Sequence, residues 1–185
     1  MKKFLLVFAL SFVMFLCFTG VTAHAYSMKK GDIYVTNATS SKGLTGHAGI
    51  AISSTKILHI PGGGATTKLY TLSQWKSAYT GSKGDTWVYR PSSTSIASKA
   101  GNWAYSHYWN KNMGSSQTIK PKYGLGGSRF ATNPTYCSKI VYQAYYYGSG
   151  DIAYVYPISG PLSPYDLRGG VFQNKYKPSK VATFK

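Results

Sequence analysis

Apolar residues fall into three regimes along this chain. They run from Phe4 to Phe18 broken only by Ser11, form short β-branched clusters from about residue 31 to 90, and recur at helical spacing between residues 93 and 147. The middle regime predicts strands at Ile33–Thr36, Gly46–Ile52, Lys56–Ile60, Thr66–Leu72 and Thr86–Tyr89, with a turn at Ser53-Ser54-Thr55 and a sharp stop at Pro61-Gly62-Gly63-Gly64. Leu72 to Tyr79 reads as a helical turn capped by Ser73. In the third regime Ile96, Ala100, Trp103, Ala104 and Tyr108 share one face of a helix over residues 93–112. Ile140, Val141, Ala144 and Tyr145 do the same over residues 135–147, with Pro134 near the first turn and Gly148 past the end. Residues 114–133 are rich in Gly, Ser, Thr and Lys and read as a long loop, and the tail with Pro157, Pro161 and Pro164 reads as mostly irregular. No internal repeat or linker divides the chain. The expectation is one α+β domain with a strand-rich front half.

The first regime reads as an address. Met1-Lys2-Lys3 supplies a positive start, the apolar run is short of the about 20 residues a bilayer span needs, and Ala23-His24-Ala25 has the form of a signal-peptidase site. A signal peptide over 1–25 and a mature domain over 26–185 are expected, hence a secreted or wall-associated protein with no stable membrane span after cleavage. Cleavage removes Cys17 and leaves Cys137 as the only thiol, which cannot make an internal disulfide.

Charge narrows the chemistry further. The 185 residues carry 21 Lys and Arg against Asp32, Asp85, Asp151 and Asp166, with no Glu, for a net charge of +17. Four carboxylates are too few for a two-metal nuclease, an EF-hand or a paired-carboxylate glycosidase. Neither a cofactor nor a metal is expected. Export makes nucleic acid an improbable partner, so the excess charge points to an anionic cell-wall polymer, and a monomer is expected.

Cys137 falls in the first turn of the second predicted helix, where unpaired N–H groups favour a thiolate. A nearby imidazole would complete a nucleophile–base pair. His47 opens one strand and His59 closes the next. Folding the two strands about Ser53-Ser54-Thr55 brings these histidines to roughly opposite positions, where one ring can orient the other. His107, on the first helix, reads as a surface or packing residue. Taken singly, Cys137 fits a buried small hydrophobe and His47 a structural strand end; a zinc site from the three residues lacks any finger-like spacing.

Gly31-Asp32-Ile33, Gly46-His47-Ala48-Gly49-Ile50 and Ile57-Leu58-His59, with Tyr136-Cys137-Ser138-Lys139 later in the chain, resemble the NlpC/P60 papain-like superfamily. Because the Cys helix follows the His strands, the order resembles the circularly permuted branch, which includes YiiX/YebB-like hydrolases and lecithin retinol acyltransferase-like enzymes. The Pro164-Tyr165-Asp166-Leu167 segment also looks like the tail of the YiiX-like group. That resemblance implies a permuted papain-like fold, with an antiparallel sheet or small barrel packed on the nucleophile helix. It also implies Cys137 as nucleophile, His47 as base, His59 as the orienting third residue and the Cys137 N–H as an oxyanion donor. Lys139 stands where the standard Cys-Ser-Gly motif has glycine. The expected activity is a cysteine hydrolase acting on amide bonds, with cell-wall peptides as substrate, through a thioacyl-enzyme. An acyl- or lipid-directed thiol hydrolase or acyltransferase is the alternative, and a non-catalytic cationic wall-binding protein is the third reading.

Overall fold

Alternating in–out patterning and antiparallel pairing build the centre of the molecule. The computed structural model describes residues 25–39, 45–150 and 152–185, so the expected export signal lies, but for Ala25, outside the described residues. The strands are β1 (Ile33–Thr36), β2 (His47–Ala51), β3 (Ile57–His59), β4 (Lys68–Tyr70), β5 (Thr86–Arg90) and β6 (Ser179–Phe184). They form one antiparallel sheet in the order β4-β3-β2-β1-β5-β6. The sheet is open, not a barrel. Its helices are α1 (Leu72–Tyr79), α2 (Thr94–Tyr108) and α3 (Cys137–Gly148).

The two sheet faces carry different layers. Ile33, Val35, Ala48, Ile50 and Leu58 point to the side covered by α2 and α3, where they pack with Ala100, Ala104, Ile140 and Ala144. Tyr34, Ala51, Ile57 and Val88 point the other way and pack around Trp75 of α1. Because α3 is sandwiched between the sheet and α2, every residue from Cys137 to Tyr145 is buried. The α2–α3 approach is close enough that a Cβ on Gly148 would lie 2.7 Å from the Ala100 Cα, so only glycine fits there. Gly148 thus ends α3 from within the helix instead of following it.

Local expectations needed three adjustments. The cap of α1 is Thr71, whose hydroxyl accepts from the Gln74 N–H while the Gln74 side chain accepts from the Thr71 N–H; Ser73 sits inside the helix. The tail is not wholly irregular, since β6 adds to β5 as the sheet edge. The hairpin between β2 and β3 closes through the Ile52 N–H to the Lys56 carbonyl, and pairs Ile50 with Leu58 and Ala51 with Ile57. Continuing that register sets His59 opposite Gly49. His47 and His59 are therefore diagonal neighbours on one face, not directly opposed.

Candidate active site

The N-terminus of α3 builds one wall. Tyr136 precedes it in an extended conformation and supplies no side-chain cap, so the first N–H groups of the helix stay available around Cys137. The Ser138 hydroxyl donates to the Leu162 carbonyl at 2.7 Å, and the Leu162 N–H donates to the Tyr136 hydroxyl at 3.1 Å. These two bonds tie the segment around Leu162 to the helix start and fix the floor of a cavity. Cys137 is a free thiol, 8% exposed. Burial pushes its pKa up, against the opposing pull of the Ala48, Ser138 and Cys137 N–H groups and the Ser138 hydroxyl. The helix start alone does not hold the cysteine as a thiolate.

The start of β2 builds the facing wall. His47 and Cys137 line the same cavity, of about 660 Å³, together with Tyr79, Tyr123, Tyr136 and Leu162. Ala38, Pro61, Leu125 and Pro164 add apolar lining, Thr39, Thr45, Ser138 and Ser163 also border the cavity, and no charged side chain does so among the described residues. His59 stands behind His47, fully buried and away from the cavity, with His47 Nε2 and His59 Nδ1 at 3.0 Å. The sequence-predicted histidines are thus joined, and one of them shares a chamber with the cysteine.

Sequence reasoning missed the wall behind the histidines. The His47 ring stacks on Trp75 at 5.6 Å between centroids and packs on Tyr79 at 4.9 Å; the His59 ring meets Tyr70 edge-on at 4.3 Å. The Trp75 Nε1–H donates to the Thr86 hydroxyl at 3.2 Å, which holds the indole in place. The four-residue spacing of Trp75 and Tyr79 on a short helix was the available signal. In this dry setting burial lowers the pKa of His47 to about 3 and drives His59 down as well, with the charge of Lys68 adding to the effect on His59. Both imidazoles rest neutral at pH 7. A neutral thiol and a neutral imidazole on one cavity are the resting states that general-base attack, with the proton leaving sulfur as the new bond forms, would require.

The remaining candidates lie elsewhere. His107 is exposed and stacks on Trp103 at 4.0 Å, outside the cavity. Gly62 and Gly63 border the cavity as a turn. Asp32 is fully buried but structural: Arg90 donates to both its oxygens at 2.8 and 2.7 Å, and the Tyr26 hydroxyl and the Lys29 N–H also donate to it. Among the described residues no group of three or more His, Cys, Asp or Glu side chains could hold a metal ion, and no helix is long and apolar enough to cross a membrane.

Comparison with known proteins places the chain in a family. The family described as lipoprotein N-acylation protein LnsA-like matches residues 2–184, and the chain belongs to it. An uncharacterized 30.3 kDa protein of Bacillus thuringiensis is 37% identical over 159 residues, which cover 86% of this chain. The chain spans only 58% of that protein's length. No solved structure matches it.

Proposed function

We propose that this member of the LnsA-like family is a cysteine acyltransferase: Cys137 takes an acyl group from an ester donor and delivers it to an amine, as the family description suggests for the amino end of a lipoprotein. The observation that carries this reading is the cavity that holds Cys137 and His47 together, bordered by Leu125, Leu162, three prolines and tyrosine rings and by no charged side chain among the described residues. An acyl chain is content in such a lining, whereas wall peptides bring carboxylates that would be costly to bury there unpaired. This reverses the order of the sequence-based expectations, in which wall-peptide hydrolysis came first. A permuted papain-like identity remains the reading of the fold, supported by strands that precede the cysteine helix and by a paired His47–His59.

In the first half-reaction the Cys137 thiol gives its proton to His47 Nδ1 while sulfur attacks the ester carbonyl, and the Cys137 N–H faces the developing oxyanion. The C–O bond breaks, the alcohol leaves with the proton from His47, and a thioester remains on Cys137. In the second half an amine attacks that thioester, the C–S bond breaks, and the proton shed by nitrogen returns through His47 to sulfur. A cysteine this buried disfavours water as the competing acceptor, which supports transfer over hydrolysis. His59 serves as the partner that orients His47. The same reading puts the protein outside the cytoplasmic membrane, on an anionic surface that its charge would favour.

The test is to incubate the protein with an acyl ester, follow the mass of Cys137, then add a synthetic lipopeptide with a free amino terminus. The expected result is an acyl adduct on Cys137 that passes to the amine, is absent in Cys137→Ala, and forms about 10²–10⁴-fold more slowly in His47→Ala. Acylation of the lipopeptide by Cys137→Ala, or cleavage of a defined muropeptide with no acyl adduct, would overturn the reading.

A further inference from the structure

The α2–α3 pair carries a row of aromatic rings that the cavity does not use. Phe130 meets Tyr146 at 5.9 Å between centroids, and Tyr146 meets Tyr147 at 5.0 Å. Tyr147 stacks on Trp103 at 5.1 Å, and Trp103 stacks on His107 at 4.0 Å. These contacts join five rings from two helices and a loop into one surface. Phe130 is 45% and Tyr147 37% exposed, His107 is exposed, and Trp103 and Tyr146 are half-buried. Contiguous apolar exposure on a folded domain marks an interaction site. On α2 the exposed Lys99 precedes Trp103 and His107 at four-residue steps, so the three share one stripe of the helix.

Charge and ring chemistry together say what covers this face. Residues 86–150, which supply α2, α3 and the loop between them, contain no Asp or Glu. The Arg129 guanidinium lies over the Phe130 ring at 4.6 Å from its centroid. At Tyr142 and Tyr147 burial raises the pKa and the Arg129 charge works against it, so the cation sits among these rings. Lys122, in the loop, is exposed as well. An aromatic face with cations and no acid is complementary to an anionic surface. Tyr and Trp pair an apolar body with a polar tip, the combination that settles where hydrocarbon meets water. Phe130 adds a ring with no polar atom. A sugar polymer would stack on open ring faces, yet Trp103 already stacks on both Tyr147 and His107. Leu125, 59% exposed, lies in the same loop as Phe130 and borders the Cys137 cavity. Five residues of chain span at most about 18 Å, so the face begins within that distance of the cavity's border.

We propose that the face formed by Phe130, Tyr146, Tyr147, Trp103 and His107, with Arg129 among them, docks the folded domain on an anionic lipid surface. The rings enter the interfacial layer, and Arg129 and Lys99 answer the anionic headgroups. Docking needs no turnover, so it stands or falls apart from acyl transfer.

The test uses full-length protein and vesicles of phosphatidylglycerol and phosphatidylcholine whose acyl chains carry bromine, which quenches indole fluorescence on contact. Protein that floats with the vesicles is isolated first, so that attachment through the apolar N-terminal run does not decide the result. Of the four tryptophans Trp75 is fully buried, and Trp103 alone belongs to the face. Wild type should be quenched relative to unbrominated vesicles, and Trp103→Phe should lose most of that quenching. The double variant Phe130→Ser, Tyr147→Ser removes two exposed rings without opening the core; it should also lose most of the quenching, and it decides alone if Trp103→Phe fails to fold. Undiminished quenching in either variant would overturn the assignment of the face. Wild type that does not float, or that floats unquenched because the domain hangs from the N-terminal run with the face turned away, would overturn it too. Equal quenching on phosphatidylcholine vesicles would remove the anionic requirement and sink the charge argument. Co-sedimentation with purified cell wall that the double variant loses, without quenching on vesicles, would give the face to a wall polymer. A dimer that forms without lipid and is lost in the double variant would give it to a second copy. Acylation of Cys137 from a soluble ester should be unchanged in both variants, and its failure in wild type would count against acyl transfer while leaving docking untouched.

Discussion

The His47–His59 bond has a required sense. For His47 Nδ1 to accept a proton from Cys137, His47 must carry its own proton on Nε2 and donate it to His59 Nδ1. The proton of His59 then sits on Nε2, which is buried without a hydrogen-bond partner in an aromatic setting. The opposite sense would leave His47 Nδ1 protonated and useless as a base. What His59 contributes is thus an acceptor of the right height, and a side chain that keeps an acceptor should keep function. His59→Leu is expected to cut the acylation rate by about 10²-fold or more, the scale of a lost orienting partner, and His59→Asn to restore part of it. Equal loss in both variants would point to packing alone. The two rings also set a pH limit. Their folded pKa values are depressed below 6.5, with His47 near 3, so the unfolded chain binds more protons as pH falls. Their contribution to stability is complete above pH 6.5 and erodes below it, by about 2 kcal/mol per imidazole between pH 7 and pH 5. Denaturant melts at those two pH values should show the loss, roughly halved in His59→Leu relative to that variant's own pH 7 stability.

The elements decide how the residues meet, and Gly49 is where three of them do. It faces Trp75 of α1 across β2, and a Cβ added there would lie 2.8 Å from the indole and 2.9 Å from the Ile57 side chain. The absent side chain lets Trp75 press against the sheet and stack on His47. Gly49→Ala should cost about 1–3 kcal/mol, a typical overpacking effect, and should lower acylation beyond what the lost stability explains, because the indole that backs His47 is displaced. A thermal melt together with the acylation rate measured well below the melting temperature would separate the two. How much of this could be read in advance follows from what each element depends on. β1 was legible as Ile33–Thr36 because a buried central strand shows a dense apolar run; the start of α3 near Cys137 was legible from its spacing. The register of β2 on β3 was not, since it turns on where the hairpin closes, between Ile52 and Lys56, and a shift of two residues still leaves both histidines on one face. β6 was missed because an edge strand such as Ser179–Phe184, half exposed and carrying Lys180, has little apolar signal. The cavity was out of reach for a different cause: its lining comes from segments near residues 38, 61, 79, 123, 137 and 162, and no local pattern brings those together.

Across the whole molecule, charge and stability are nearly uncoupled. The chain carries a net charge of +17, yet the described residues contain a single ion pair, Arg90 with Asp32. The other cations have no carboxylate partner among the described residues, and the exposed ones repel one another and destabilise the compact state slightly. Salt should therefore act on binding and on folding with opposite signs. Attraction to an anionic surface is screened as the Debye length contracts from about 10 Å at 0.1 M to about 3 Å at 1 M salt. The same screening relieves the self-repulsion, and the one buried pair, shielded by protein, loses little. Sedimentation with anionic vesicles over 0.05–1 M NaCl should show association falling steeply, while thermal melts in the same buffers show the midpoint steady or rising. Neutral vesicles control for the apolar N-terminal run, which salt does not weaken. A midpoint that fell in step with binding would mean that surface ion pairs hold the fold together, and that the excess of cations is structural instead of a means of staying on an anionic surface.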